Sequence, residues 1–138
     1  MCMMHHAIRY LKRNNLIGKR VFKLTGRYRL APSFDITAYE GEDVVGKFVY
    51  RRNDWDVSLD NWVTRETITY LETRLWSMCH TLVDDYFNFL PNLYTYMLSV
   101  DNNLEKALNT LTPEDKLVIF NPIHLEGHPS NTGEYKFE

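Results

Sequence analysis

The spacing of hydrophobic residues changes along the chain, and the first segment has helical spacing. Met4, Ile8 and Leu11 follow one another at intervals of four and three residues. This spacing places the three side chains on one face of an α-helix. The sequence therefore predicts a short helix over residues 3–15, and Gly18 is a suitable residue to stop it.

Residues 19–59 change to the alternating pattern of β-strands. The clearest case is Phe34, Ile36 and Ala38, which alternate with polar residues. A period of two is typical of a strand with one buried face. Other short hydrophobic segments follow, separated by glycine or by acidic turns, so we predict a small antiparallel sheet over about residues 19–59.

Residues 64–90 carry the most continuous hydrophobic stripe. Its members are spaced three or four apart: Ile68, Leu71, Leu75, Cys79, Leu82, Tyr86 and Leu90. This pattern predicts one long amphipathic helix that packs against the sheet. Pro91 is expected to end or kink that helix. Cys79 lies on the stripe, which favours a buried small side chain over a nucleophile.

The remaining residues predict shorter elements and a tail. A helix is expected to start near Asp101, and Thr112 with Pro113 resembles a second helix start. Leu117 opens a short buried segment, whereas residues 121–138 are expected to be irregular. The prediction is a single α+β domain over residues 1–138, with the sheet on the long helix and shorter helices around it.

Composition narrows the class of protein. The 138 residues are 44% hydrophobic and 14% aromatic, which suits one domain with a substantial core. No apolar run approaches the roughly 18 residues that cross a bilayer, and the first residues lack the apolar stretch of a secretory signal. Two cysteines fit a reducing compartment. We therefore expect a soluble cytoplasmic protein with no membrane contact.

Charge is distributed unevenly along the chain. Residues 1–60 hold 11 basic and 7 acidic residues, and residues 61–138 hold 5 basic and 11 acidic residues. No acid precedes Asp35. A positive field attracts an acidic partner, and aromatic residues among the cations can anchor it. The predicted partner-binding residues are Lys12, Arg13, Lys19, Arg20, Arg27, Arg29, Tyr10, Tyr28 and Tyr39.

Other uses of the same residues stay open. Cations interleaved with aromatics can also bind nucleic acid, or they can pair with the acidic half of the chain itself. The net charge of −2 opposes general affinity for polyanions and favours an acidic protein surface. If the basic end has no role, the site is expected on the acidic half, from Asp84 and Asp85 to Tyr94 and Tyr96.

Metal and acid–base chemistry have weak candidates. His124 and His128 are four apart, but Gly127 and Pro129 disfavour a helix and no third ligand is apparent. His80 and Asp84 would be neighbours on the predicted helix, an arrangement more typical of a solvated local pair. No phosphate-binding glycine loop, nucleophile elbow or CxxC pair occurs. We expect no cofactor and no metal.

The segment from Gly26 to Thr37 resembles one stretch of the HipA-type serine/threonine kinases, which carry a Leu-Ala-Pro-x-Tyr/Phe-Asp motif in the C-terminal lobe. The resemblance implies that Asp35 binds the magnesium of ATP and that Asn14 or Asn15 is the second metal ligand. Ala7 and Ile8 stand where the family has its catalytic aspartate, and the lobe with the nucleotide-binding lysine has no counterpart. Kinship would therefore imply a catalytically dead lobe.

The functional prediction is a small non-enzymatic intracellular interaction protein that regulates or inhibits an acidic protein partner. Small size, abundant tyrosine and asparagine and the lack of an enzyme motif favour a viral origin, with action in the host cytoplasm. A nucleic-acid-binding module and a kinase-lobe remnant are the two alternatives.

Overall fold

The computed structural model describes residues 2–58, 65–100, 103–127 and 136–137. Its α-helices are α1 (Cys2–Arg13), α2 (Val83–Val100) and α3 (Leu104–Leu111). Its strands are β1 (Arg20–Leu24), β2 (Tyr28–Leu30), β3 (Phe48–Tyr50), β4 (Arg52–Ser58), β5 (Arg65–Leu71), β6 (Leu75–Cys79), β7 (Leu117–Ile119), β8 (Leu125–Gly127) and β9 (Lys136–Phe137). The predicted α+β class is confirmed, and so is the N-terminal helix.

A four-stranded sheet forms the centre of the fold, in the order β1-β6-β3-β7. Strand β6 runs antiparallel to both β1 and β3, whereas β3 and β7 are parallel. All five residues of β6 are buried, so both of its faces are covered. A strand in this position needs hydrophobic residues without alternation, which explains its sequence Leu-Trp-Ser-Met-Cys.

The long helix predicted over residues 64–90 is wrong in its first two thirds. Strand β5 pairs with β4 as a hairpin, β6 joins the central sheet, and the helix begins only at Val83. Thr67 and Thr69 favour a strand because β-branched side chains fit an extended backbone. The predicted burial of the stripe is nevertheless confirmed for Leu71, Leu75, Leu82 and Leu90, while Ile68 is half-buried.

Pro91 was expected to end or kink the helix, and the structure shows that it does not end it. Pro91 is exposed inside the helix, which continues to Val100. Leu90 and Leu93 on either side of it are 8% and 0% exposed. Burying two leucines stabilises the helix by about 1.5–3 kcal/mol each, which offsets the roughly 3 kcal/mol cost of an interior proline.

The strands within residues 19–59 do not form the single antiparallel sheet that was predicted for this segment. They belong to three different sheets, and each pairs with a strand from later in the chain. The alternating segment at Phe34 is not a strand either, since Ile36–Tyr39 is a 3-10 helix. Asp35 caps it by accepting hydrogen bonds from the Thr37 N–H at 2.9 Å and hydroxyl at 2.7 Å. Such local bonds compete with strand pairing.

The C-terminal segment expected to be irregular contains two strands. Strand β8 pairs with β2, and β9 pairs with β8, all antiparallel. Gly127 permits this close approach, because a Cβ there would overlap with the carbonyl oxygen of Arg27. The hydrophobic residues Ile123 and Leu125 are buried against Leu75, which holds the segment in place.

Two shorter predictions are also settled by the structure. Helix α3 is capped by Asn103, whose side chain accepts a hydrogen bond from the Lys106 N–H, while Asp101 lies outside the described residues. Pro113 precedes a 3-10 helix of three residues, Glu114–Lys116, rather than an α-helix. The buried segment that follows it is β7, as predicted.

One carboxylate lies inside this fold. Glu72 is 1% exposed and follows β5. The Asn53 amide donates to it, and the guanidinium groups of Arg51 and Arg74 lie 3.6 and 3.7 Å from its oxygens. This network ties the β4–β5 hairpin to the entry of β6.

No helix within the described ranges is long and apolar enough to cross a membrane.

Candidate functional site

Helix α1 is attached to the core along one face only. Ile8 is 2% exposed and packs into the main hydrophobic cluster. Lys12 forms an ion pair with Asp84 at the start of α2, and the ring of His5 meets that of Phe87 edge-on at 4.8 Å. These contacts fix the rotation of the helix and leave its opposite face in solvent.

The exposed face of α1, which we call the α1 basic face, is formed by His6, Arg9, Tyr10, Arg13 and Asn14. These five residues line a groove of about 560 Å³. Arg9 and Arg13 also border a neighbouring groove of about 480 Å³ next to Phe87. Neither arginine forms an ion pair with any residue that the structure describes.

The structure divides the predicted partner-binding residues among three places. Tyr10, Lys12 and Arg13 are on α1. Lys19, Arg20 and Tyr39 lie around a separate groove of about 630 Å³ beside β1. Arg27, Tyr28 and Arg29 are at β2. Among the described residues, the α1 set and the set beside β1 line different grooves.

Several of these residues make hydrogen bonds or packing contacts within the fold. Arg20 donates to the Ser77 hydroxyl at 3.0 Å and to the carbonyl of Lys47 at 3.3 Å, and burial lowers its pKa. Tyr39 is only 7% exposed and packs on Phe22, which leaves little of its ring for a partner to contact. The ring of Tyr39 is buried by hydrophobic packing, although the residues on either side of it in the sequence are exposed.

The residues at β2 are also engaged within the chain. Arg29 pairs with Glu126 across the β2–β8 ladder. Arg74 lies over the ring of Tyr28, 5.4 Å from its centre. Arg27 and Lys19 are exposed. Arg29 therefore contributes to holding β2 against β8.

The groove beside β1 contains a thiol that the sequence did not mark as reactive. Cys79 is 6% exposed and ends β6. Burial opposes its ionisation, but hydrogen bonds from Thr81 and the Gly46 N–H, together with His80, outweigh burial and lower its pKa to about 7. The Thr81 hydroxyl is 3.3 Å from Sγ. Thiolate character of this kind raises reactivity.

The metal and acid–base candidates that lie within the described residues do not come together. His124 has its Nδ1 3.0 Å from the Ser33 hydroxyl, and His128 lies outside the described residues. Among the residues that are described, no group of three histidine, cysteine or acidic side chains could hold a metal ion. The predicted His80–Asp84 pair does not form, because His80 Nδ1 lies 3.1 Å from the Lys19 carbonyl and Asp84 pairs with Lys12.

The residues singled out by the kinase resemblance have local structural roles. Asp35 is an exposed cap whose pKa is lowered by the hydrogen bonds from Thr37. The Asn14 amide donates to the Tyr10 carbonyl at 2.8 Å. Asn15 has a φ of 53°, which ends the last turn of α1.

Comparisons with protein-family models, with curated proteins and with solved structures gave no match for this chain.

The α1 basic face includes three residues, His6, Arg9 and Asn14, that the sequence did not predict to bind a partner. The signal was present, because Arg9 and Arg13 are four apart on a predicted helix and must share a face. This pair was not distinguished from the other cations, because the basic region extends to Arg29 and several of its cations have structural roles.

Proposed function

We propose that this chain is a non-enzymatic interaction protein that binds an acidic surface of a protein partner through the α1 basic face. The observation that carries the proposal is the pair Arg9 and Arg13, which are exposed, adjacent and unpaired within the described residues. Tyr10 lies beside them and is 62% exposed. Arginine and tyrosine are the residue types that most often dominate binding energy at protein interfaces.

A protein partner fits this face better than nucleic acid does. Binding along a nucleic acid backbone needs many free cations arranged over an extended surface. Here Lys12, Arg20, Lys23 and Arg29 are engaged in ion pairs or hydrogen bonds of the fold. Arg9 and Arg13 lie within about one turn of a helix, whereas the other exposed cations of this region, Lys19 and Arg27, lie apart from them. A pair of cations so close together suits a local acidic patch.

Binding to such a partner implies regulation or inhibition, because the α1 basic face is a recognition surface without assembled catalytic groups. A role in a host cytoplasm, as for a small viral regulator, remains part of this proposal. The nucleic-acid module and the kinase-lobe remnant are its alternatives, and the experiment below separates them.

The test compares two charge-reversed proteins with wild type. One carries Arg9→Glu with Arg13→Glu, and the matched control carries Lys19→Glu with Arg27→Glu, an equal charge change at exposed positions away from α1. Each immobilised protein is used to recover partners from a lysate of the source cells, which are identified by mass spectrometry. Circular dichroism first establishes that both variants fold.

We expect the Arg9/Arg13 variant to bind the partner at least about tenfold more weakly, which corresponds to roughly 1.4 kcal/mol of binding free energy. Wild-type binding should also weaken at high salt. The control should bind as wild type does. Equal recovery by both variants would reject the α1 basic face. Salt-sensitive binding of labelled single-stranded DNA or RNA, lost in the Arg9/Arg13 variant, would establish the nucleic-acid alternative instead. Specific ATP binding that depends on Asp35 would favour the kinase remnant.

A further inference from the structure

A groove of about 500 Å³ lies between α1, the central sheet and α3. Met4 and Leu11 line it from α1, and Trp76 and Met78 line it from β6. We call it the α1 apolar groove. Within the part of the chain that the structure describes, Lys23 is the one charged residue of its lining. Its volume is in the range of about 300–1,000 Å³ that is typical of binding pockets.

The groove is apolar because of the face of the sheet that it covers. In the β1–β6 ladder, Val21 lies opposite Met78, and Lys23 lies opposite Trp76. Residues two apart on a strand share a face, so these four side chains belong to the same face. The ammonium group of Lys23 donates a hydrogen bond to the carbonyl of Thr73. The single charge on this face is therefore positive.

Part of the lining of the α1 apolar groove is open to solvent. Met3 is 87% exposed, Leu24 is 40% exposed, and Ala7 is exposed as well. Methionine side chains are flexible and can pack around partners of different shapes. An exposed apolar rim on a groove is the kind of place where an interface buries an anchoring side chain.

The α1 apolar groove and the α1 basic face meet along one edge of the helix. Met3 lines the groove and His6 lines the basic face, and Ala7 and Tyr10 form a second such pair. Residues three apart on an α-helix are neighbours, with about 5–6 Å between their Cβ atoms. The two surfaces are therefore continuous, and one segment of a partner can contact both.

The combined surface is positive and apolar. Arg9 and Arg13 supply charge on one side of the helix, and Lys23 supplies it on the other. None of the three forms an ion pair with a described residue. Among the described residues that line the two surfaces, none is acidic. A complementary partner carries carboxylates next to large apolar side chains.

We propose that the partner presents an acidic amphipathic segment to α1. Its carboxylates pair with Arg9 and Arg13, and a leucine or aromatic side chain beside them enters the α1 apolar groove. The inference rests on the proposed function, because it assigns the chemical class of the partner at the α1 basic face. The apolar anchor supplies affinity that exposed ion pairs alone do not, since water and salt screen them. Amphipathic segments that lie in a hydrophobic groove are a general mode of peptide recognition.

The test selects random peptides, displayed on phage, for binding to the immobilised full chain. We expect the enriched peptides to combine acidic residues with leucine or aromatic residues. Binding of one enriched peptide, carrying a fluorescent label, is then measured by fluorescence anisotropy. The inference is overturned if no peptide is enriched, or if the enriched peptides lack either acidic or large apolar residues.

Two variants with glutamine at exposed apolar positions examine the groove. Met3→Gln with Leu24→Gln makes its rim polar and should weaken the labelled peptide at least about fivefold. The matched control is Leu16→Gln with Leu98→Gln, which changes two exposed leucines that line neither surface. The control should bind as wild type does. Circular dichroism establishes that both variants fold.

The same peptide, measured with the Arg9→Glu/Arg13→Glu variant, separates this inference from the proposed function. We expect at least about tenfold weaker binding. If that variant loses the peptide and the Met3/Leu24 variant does not, the groove is rejected and the proposed function stands. If the Met3/Leu24 variant alone loses it, the α1 basic face is rejected as well. A dimer in sedimentation experiments that the Met3/Leu24 variant abolishes would show a second copy in the groove and would overturn the inference.

Discussion

The thiol of Cys79 combines low exposure with surroundings that favour its ionised form. The Thr81 hydroxyl and two backbone N–H groups stabilise the thiolate and bring its pKa to about 7, although burial acts in the opposite direction. The thiol reacts as the thiolate, so its reactivity follows its ionisation.

We predict that alkylation of Cys79 by iodoacetamide rises with pH and is half-maximal near pH 7. The measurement uses a Cys2→Ser background, in which Cys79 is the remaining thiol. Thr81→Val should shift the midpoint toward the ordinary cysteine value of 9.0. A midpoint that stays the same in this variant would show that Thr81 does not stabilise the thiolate.

A different residue-scale prediction concerns Glu72, whose carboxylate is buried among Arg51, Asn53 and Arg74. Removing one member of a buried ion pair leaves the other charge uncompensated. We expect Glu72→Ala to lower the free energy of unfolding by about 3–5 kcal/mol in urea denaturation. Glu114→Ala is the control, because its pair with Arg52 is exposed and should contribute less than about 1 kcal/mol.

At the scale of elements, β6 is the strand on which the central sheet depends. It pairs with β1 on one side and with β3 on the other, and Leu75 is 2% exposed. We predict that Leu75→Ala lowers the free energy of unfolding by about 2–5 kcal/mol because it leaves a cavity. Leu24 is its partner across the β1–β6 ladder and is 40% exposed, so Leu24→Ala should cost clearly less. Equal losses would show that Leu75 is not a core residue.

The element scale also shows where sequence reasoning succeeds and fails. Spacing correctly identified Leu71, Leu75 and Leu82 as buried, yet they lie on two strands and a 3-10 helix rather than on one α-helix. A strand buried on both faces has no alternation, so its hydrophobic residues can match a helical period by coincidence. The threonines of β5 were the available contrary signal.

The candidate site was only partly predictable for a different reason. A basic residue in the sequence does not reveal whether its charge is free, and Arg13 and Arg29 look alike until Glu126 is found beside Arg29. The cavity of about 230 Å³ between β3, α2 and α3 was not predictable, because residues from distant parts of the chain line it only after tertiary packing. Local patterns therefore predict burial better than they predict sites.

For the molecule as a whole, part of the charge asymmetry of the sequence is used in ion pairs within the chain. Lys12 pairs with Asp84, Arg29 with Glu126 and Arg52 with Glu114, so each pair joins the basic part of the chain to the acidic part. This outcome matches the possibility that the two halves neutralise each other. It leaves Arg9 and Arg13 as the cations to test first.

A prediction at this scale concerns catalysis. We expect no ATP-dependent phosphoryl transfer, because Asp35 is occupied by two hydrogen bonds from Thr37 and no aspartate stands at Ala7 or Ile8. The assay incubates the chain with radiolabelled ATP and a generic protein substrate. Phosphorylation that disappears in Asp35→Ala would contradict the prediction and would revive the kinase interpretation.

The pairing of β2 with β8 has a consequence for how the protein is made. Tyr28 of β2 lies opposite Gly127 of β8, and β3 pairs with β7 at Leu117–Ile119. In both cases the partner strand is synthesised much later than the first strand. A ribosome adds about 5–20 residues per second, so these early strands spend several seconds without their partners. Throughout that interval their edges are open to other chains, and folding is completed only when the last part of the sequence has been synthesised.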